Sequence, residues 1–299
     1  MKKHAELTNL DKVYWPDDDI TKGDLLEYYS KIAPYILPYL KNRALSLKRN
    51  PNGIKDNGFF QKDAGDSAPD WVKKQEIYSE STDKMVNYLV CNDLESLLYI
   101  ANLGCIEMNP WNSTIDNLEH PDYIVMDIDP SDKNTFEDVV DVALVIKDIL
   151  DETGMTGYCK TSGSSGLHIY IPFHKKYNYD ESRDFAEIIA TIVTDRLPKI
   201  TTLERSLSKR KKNQIYVDYL QNRIGQTLAS AYSVRPKAGA TVSAPLEWSE
   251  VKHGLSPKDF TIKNMLKRVE EKGDLFKGVM GKGIDMGKVI EKLEAMHQA

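Results

Sequence analysis

Cysteine is scarce in this chain of 299 residues. Its three copies, Cys91, Cys105 and Cys159, are far apart and odd in number. They fit neither a tetrahedral zinc site nor a disulfide framework, and a reducing cytosol is the simplest setting. Long apolar runs are lacking too, so no segment reads as a membrane-spanning helix. The opening Met1-Lys2-Lys3-His4-Ala5-Glu6 has no apolar core of the kind a secretory signal needs. Internal repeats and low-complexity stretches are missing, which sets repeat architectures aside. An excess of positive charge is also missing. A net charge of −5 argues against coating nucleic acid by bulk attraction. Local patches remain open: between Lys199 and Arg223, the cations Lys199, Arg205, Lys209, Arg210, Lys211, Lys212 and Arg223 face only Glu204 and Asp218. Such a cluster suits a solvated surface or a phosphate-holding face.

What is present is an ordinary globular composition, 41% hydrophobic and 28% charged. The length suits one large domain or two small ones. Thr21, with Asp24 three residues on, starts a helix over about 21–41 through a capping box. Strands are expected near 43–49, 85–90, 105–109, 123–129, 156–161, 167–172, 214–220 and 228–234. Helices are expected near 92–103, 135–152, 181–197, 261–272 and 285–297, with 52–82 mostly loop. Thr135 and Asp138 would cap the helix whose apolar stripe is Val139, Val142, Ala143, Ile146, Ile149 and Leu150. The pattern is α+β with few clean βαβ repeats.

The chemistry starts at Tyr123-Ile124-Val125-Met126-Asp127-Ile128-Asp129-Pro130. On a strand Asp127 and Asp129 point the same way. Paired carboxylates repel unless they share a cation, a proton or an arginine, and a hard divalent cation such as Mg²⁺ or Mn²⁺ is a natural solution. The same residues also suit a solvated Asp-x-Asp-Pro turn. Downstream, Lys160-Thr161-Ser162-Gly163-Ser164-Ser165-Gly166-Leu167-His168 reads as strand, tight turn, strand. Its small residues can bring N–H groups and hydroxyls up to an anion, or it is a plain hairpin with a structural histidine. Asp218 lies in the apolar run Ile215-Tyr216-Val217-Asp218-Tyr219-Leu220, where a charge needs a salt bridge or a metal. Tyr216 and Leu220 would share its face. Gln226 and Arg235 add polar groups suited to a nucleotide. Together these features suggest metal-assisted phosphoryl chemistry, with two cations about 3.5–4 Å apart.

The chain resembles the polymerase domain of bacterial ligase D and its stand-alone relatives, members of the archaeo-eukaryotic primase superfamily that act in non-homologous end joining. The resemblance runs from about Thr8 to Leu293. It is carried by Asp11-Lys12-Val13-Tyr14-Trp15-Pro16, Ile20-Thr21-Lys22-Gly23-Asp24-Leu25, Gly58-Phe59-Phe60-Gln61-Lys62, Ala68-Pro69-Asp70-Trp71-Val72, Asn102-Leu103-Gly104, Pro110-Trp111, the Asp127/Asp129 strand, the Ser162–His168 hairpin and Val217-Asp218-Tyr219-Leu220. It implies a primase-like α+β core with mixed or antiparallel sheets flanked by helices. The whole chain, 1–299, would be one domain: a DNA-end-binding part to about 84, a catalytic core over about 85–240 and a helical extension beyond 241.

The resemblance also implies roles. Asp127, Asp129 and Asp218 would be the catalytic carboxylates holding two Mn²⁺ or Mg²⁺ ions. Lys48, Asn109, Ser162, Ser164, Ser165, Gly166, His168, Gln226 and Arg235 would bind the incoming nucleotide. Phe59 and Phe60 would stack on a base, and Lys12 and Lys22 would grip a 5′-phosphate. The last two also suit ordinary surface lysines. The implied activity is template-directed addition of nucleotides, ribonucleotides preferred, to 3′ ends at gaps and double-strand breaks. A non-catalytic end-binding and synapsis module and a de novo primase are the alternatives. Expected partners are DNA ends or gaps with a 5′-phosphate, NTP or dNTP, a separate ligase and a Ku-like protein, in the cytoplasm at the nucleoid and without a membrane. No Lys-x-Asp-Gly ligase motif occurs in the chain, so a free-standing polymerase subunit or a piece of a longer protein is expected. Two departures from the family pattern stand out. Asn109 occupies a position that is His in many relatives, and Ser165 one that is often Lys or Arg. The second removes a positive charge near the triphosphate, which implies either weaker nucleotide affinity or compensation from Lys160 or the 209–212 cluster.

Overall fold

A computed structural model describes residues 5–65, 68–79, 82–206 and 208–297. Met1–His4 of the opening segment, and parts of the 52–82 stretch, lie outside the described residues. In chain order come β1 (Val13–Trp15), β2 (Ile20–Thr21), α1 (Lys22–Leu40), β3 (Leu45–Arg49), β4 (Phe59–Gln61), β5 (Lys74–Ser79), β6 (Lys84–Leu89), α2 (Leu94–Asn102) and β7 (Cys105–Pro110). Then follow β8 (Tyr123–Asp129), α3 (Phe136–Thr153), β9 (Tyr158–Thr161), β10 (Leu167–Pro172), α4 (Tyr179–Arg196), β11 (Thr201–Thr202) and β12 (Ile215–Asp218). The chain closes with β13 (Pro245–Leu246), α5 (Met265–Lys272) and α6 (Met286–His297). No described helix is long and apolar enough to cross a membrane.

The residues divide into two compact units. The first comprises Met1–Asp116, Thr227–Ala244 and Pro257–Asp274. Its antiparallel sheet has the order β4-β3-β7, beside the β1-β2 ribbon and the β5-β6 hairpin. Thr21 and Asp24 form the reciprocal capping box expected for α1, which satisfies N–H groups the first turn leaves unpaired. The loop expected over 52–82 contains β4 and β5. Most of their side chains are not buried, so no alternation of apolar residues marks them and the backbone ladder alone makes them strands. The strand expected near 228–234 is reduced to isolated bridges at Thr227 and Val234. The positive φ of Tyr232 interrupts an extended run.

The second unit comprises Asn117–Gln226, Pro245–Ser256 and Leu275–Ala299. Its six-stranded sheet has the order β11-β12-β8-β10-β9-β13. Only the β11–β12 pair is parallel. One face carries Ile124, Met126, Ile128, Ile169, Ile171 and Val217, all fully buried. Each such side chain contributes roughly 1.5–3 kcal/mol when fully removed from water. Helices α3 and α4 pack on this sheet, and Thr135–Asp138 caps α3 as expected. The opposite face carries the polar residues at the middle of β8, β9, β10 and β12. Thus an α+β fold with mostly antiparallel pairing is present, as expected.

Candidate active site

Strand register assembles the centre of the site. Asp218 of β12 is paired with Asp127 of β8, Asp127 with His168 of β10, and His168 with Lys160 of β9. Directly paired residues share a face, with Cβ atoms about 4.5–5.5 Å apart. A single row therefore crosses four strands as carboxylate, carboxylate, imidazole, ammonium. Asp129 lies on the same face two residues along β8, paired with Tyr216.

Each carboxylate has a protein partner. Asp127 Oδ1 lies 3.4 Å from His168 Nε2. Asp129 Oδ2 accepts from Arg210 Nη1 at 3.3 Å. Asp218 accepts from the Leu220 N–H at 2.7 Å and the Gln221 amide at 3.1 Å. Burial raises the Asp218 carboxyl above its ordinary pKa, and these two hydrogen bonds oppose that shift. Among the described residues no three His, Cys, Asp or Glu side chains are closed into a metal-binding group. The donor set itself fits a hard divalent cation: three carboxylates on two neighbouring strands, with all-oxygen ligation on offer.

Beyond Asp218 the chain leaves the sheet. Leu220–Asn222 form a 3-10 turn, so Leu220 does not continue the Asp218 face as expected of a longer strand. Asn222 explains the stop. Its amide oxygen accepts from Val125 N and its amide nitrogen donates to Val125 O, both at 2.8 Å. A side chain here replaces the next strand residue on β8.

The hairpin turn is organised from within. Ser162 Oγ accepts from the N–H groups of Ser164 at 3.1 Å and Gly166 at 3.0 Å. Those two N–H groups serve the turn, while the side chains of Ser164 and Ser165 reach the surface. A Cβ at Gly166 would stand 2.3 Å from the Ile128 carbonyl oxygen, so only glycine lets the turn approach β8 this closely. Lys160 is fully buried, with Nζ 2.8 Å from His168 Nδ1. Of the basic cluster, Arg210 turns inward, stacking 4.7 Å from the Tyr216 ring, while Lys209, Lys211 and Lys212 are exposed. Gln226, also in this unit, is exposed at its edge.

The remaining expected residues belong to the first unit. Lys48 donates to Gly58 O at 2.8 Å and lies 5.0 Å from the Phe60 ring centre. Arg49 lies 5.4 Å from the Phe59 ring centre. Both aromatics are exposed, Phe60 at 61%, and both lie across from these cations in the β3–β4 register. Asn109 is buried and donates to Ser46 O at 3.1 Å. Arg235 Nε is 2.6 Å from Glu107 Oε2, a buried carboxylate. Lys12 and Lys22 are brought together by the Lys22 N–H bond to Lys12 O, 2.8 Å. Burial and the charge of Lys12 lower the Lys22 pKa. Lys12 Nζ bonds Asn52 Oδ1 at 2.6 Å and Lys22 Nζ bonds Thr8 O at 2.7 Å.

Sequence reasoning singled out neither Glu107 nor Asn222. Glu107 is a charge inside the apolar run Cys105-Ile106-Glu107-Met108, the same signal that marked Asp218. Asn222, in a polar turn, carries no such signal.

The family description "LigD, primase-polymerase domain" matches residues 21–276. The bifunctional non-homologous end joining protein LigD of Bacillus subtilis is 37% identical over 269 residues, 90% of this chain and 43% of that protein. The multifunctional protein LigD of Mycolicibacterium smegmatis is 29% identical over 275 residues, 91% of this chain and 36% of that protein. The chain thus spans well under half the length of these relatives. The solved polymerase domain of Mycobacterium tuberculosis ligase D in complex with DNA superposes with a TM-score of 0.86 at 27% identity, covering 95% of this chain and 100% of that one.

Proposed function

Because the chain belongs to the LigD primase-polymerase family, we propose that it is a template-directed nucleotidyltransferase that fills gaps and extends 3′ ends at double-strand breaks in non-homologous end joining. The observation that carries this reading is the register pairing of Asp127 with Asp218, with His168 next in the row. Two carboxylates aligned so closely on a sheet face repel each other, a cost that a cation relieves.

In this reading Asp127, Asp129 and Asp218 hold two divalent ions, Mn²⁺ or Mg²⁺. When bound, such ions lower the pKa of a primer 3′-OH and neutralise charge on the phosphates. The protein's own groups bind and orient. His168 and the surface hydroxyls of Ser164 and Ser165 face the triphosphate, while Ser162 keeps their turn in shape. Lys48 and Arg235 add positive charge, with Glu107 fixing the Arg235 guanidinium; Gln226 serves the sugar, and Asn109 is a neutral donor for a phosphate or the sugar. Phe59 and Phe60 offer exposed ring faces on which a base of any identity can stack. Lys12 and Lys22 form a cationic pair for the 5′-phosphate of a broken end. Ribonucleotides are the preferred substrates, and a ligase and a Ku-like protein are the partners.

The test is primer extension on a gapped duplex, with and without 5′-phosphate, with rNTP or dNTP, and with Mg²⁺, Mn²⁺ or chelator. The expected result is templated incorporation that needs a divalent ion, favours rNTP and improves with 5′-phosphate. End binding without incorporation in any metal would refute the polymerase reading.

A further inference from the structure

Lys160 is an unusual residue to find where it is. It sits in the third position of β9, at 0% exposure. Lysine is seldom buried completely, because removing an ammonium group from water is costly without a partner. Two of its contacts are specific. Nζ lies 2.8 Å from His168 Nδ1 and 5.5 Å from the centre of the Tyr170 ring. Tyr170 is on the same face as His168, two residues further along β10. The other ring nitrogen of His168, Nε2, lies 3.4 Å from Asp127 Oδ1. The imidazole thus separates the buried ammonium from the carboxylate side of the row.

We infer that Lys160 is a positioning residue: it fixes His168 as the tautomer with the proton on Nε2 and thereby turns that N–H toward the carboxylates and the phosphate side. The chemistry is one of complementarity. A lysine ammonium has three donors and no acceptor. The Nδ1 atom it touches must then be the lone-pair nitrogen, and in a neutral imidazole the proton is on the other side. The face of Tyr170 attracts the same cation electrostatically, which holds Nζ at this end of the ring. Lys160 is sealed from solvent. Its charge acts through the imidazole, polarising the Nε2–H bond in a buried setting where such effects are stronger than in water. This supplies part of the positive character that Ser165, exposed and uncharged, does not.

The inference rests on the nucleotide-binding reading only for its consequence, and the test separates the two. The full chain is labelled with ¹⁵N in its six histidine rings, and His168→Gln assigns the His168 signals by their loss. In the nucleotide-free wild type the expected spectrum is a neutral ring protonated on Nε2. Lys160→Met, of similar length and without a donor, should give a mixture of tautomers. It should also raise KM for UTP opposite a templating dA about tenfold, with kcat changed less, as for other groups that orient a binding residue from behind. Lys160→Arg, which is also donor-only, should restore the Nε2–H form and much of the KM. A proton on Nδ1 in the wild type overturns the inference whatever the variants do, including a Lys160→Met that fails to fold. An unchanged spectrum and unchanged KM in a folded Lys160→Met overturn it as well. A wild type that incorporates no nucleotide refutes the polymerase reading instead, and the spectra still decide the role of Lys160.

Discussion

Asp218 stands directly opposite Asp127 across the antiparallel pair of β12 and β8. Nothing in their separation of 91 positions along the chain announces this, yet it puts two acidic groups at neighbouring points on one sheet face. Asp127→Ala is expected to remove incorporation on a gapped duplex by at least about 10²–10³-fold, the size of effect seen when one charge-stabilising group is deleted. The thermal unfolding midpoint should hold or rise, since the change relieves repulsion. Turnover at the wild-type rate would refute the assignment of Asp127.

Asn222 substitutes for a strand residue by bonding both the N–H and the carbonyl of Val125. Its replacement by Ala strands two buried backbone groups. Urea denaturation should show a loss of about 1–3 kcal/mol. A change under a few tenths would mean that water or a neighbouring group takes over both bonds.

Gly166 faces the backbone of β8 so closely that an added methyl group would lie 2.3 Å from Ile128 O. Gly166→Ala must push the turn off the sheet and should cost roughly 1–3 kcal/mol, as overpacking does. Ser165→Ala, next in sequence and exposed, is the control and should leave stability within about 0.5 kcal/mol. Equal melting temperatures for the two variants would contradict the close approach.

Lys12 and Lys22 meet through one main-chain hydrogen bond. Under the proposed function, Lys12→Ala should abolish the affinity gained from a 5′-phosphate and reduce the slope of log affinity against log salt by about one. Fluorescence anisotropy with phosphorylated and unphosphorylated duplexes measures both. If the two duplexes continue to differ as in the wild type, the phosphate is held elsewhere.

His253 is drawn to acidic residues of α3: its Nε2 lies 2.7 Å from Asp141 and its Nδ1 3.7 Å from Glu137. The Asp141 hydrogen bond raises its pKa, and Glu137 adds to the effect. A raised folded-state value means stabilisation that is complete below the unfolded pKa of about 6.5 and is lost as pH climbs through the folded value. NMR titration should place His253 above the ordinary histidine range, and Asp141→Asn should bring it most of the way back. A normal midpoint in the wild type would show that the contact does not persist in solution.

Much of this architecture was legible in residue patterns. The caps of α1 and α3 follow from Thr-x-x-Asp spacings, and β8 from its apolar run ending at Pro130. The exposed strands β4 and β5 were not legible because they bury too little to leave a period-two signal. The acidic pair at 127 and 129 and the lone acid at 218 drew attention as charges within apolar runs. Their convergence depends on strand order, which no local pattern encodes. In the sequence Lys160 stands out only as a charge to offset the one missing at Ser165. Its burial arises because a histidine two strand positions past a glycine lands beside it in the hairpin register. Glu107 carries the same signal as Asp218, a charge in an apolar run, whereas Asn222 acts on the site only through Val125 and becomes visible only when the chain is folded.

The row from Lys160 through His168 and Asp127 to Asp218 also limits how such a chain can vary in length. Insertion or deletion of a single residue within β8, β9, β10 or β12 turns every later side chain of that strand to the opposite side. Acids would then enter the greasy layer under α3 and α4, and isoleucines would line the polar side. Length changes are therefore better accommodated in the connections between these strands than inside them.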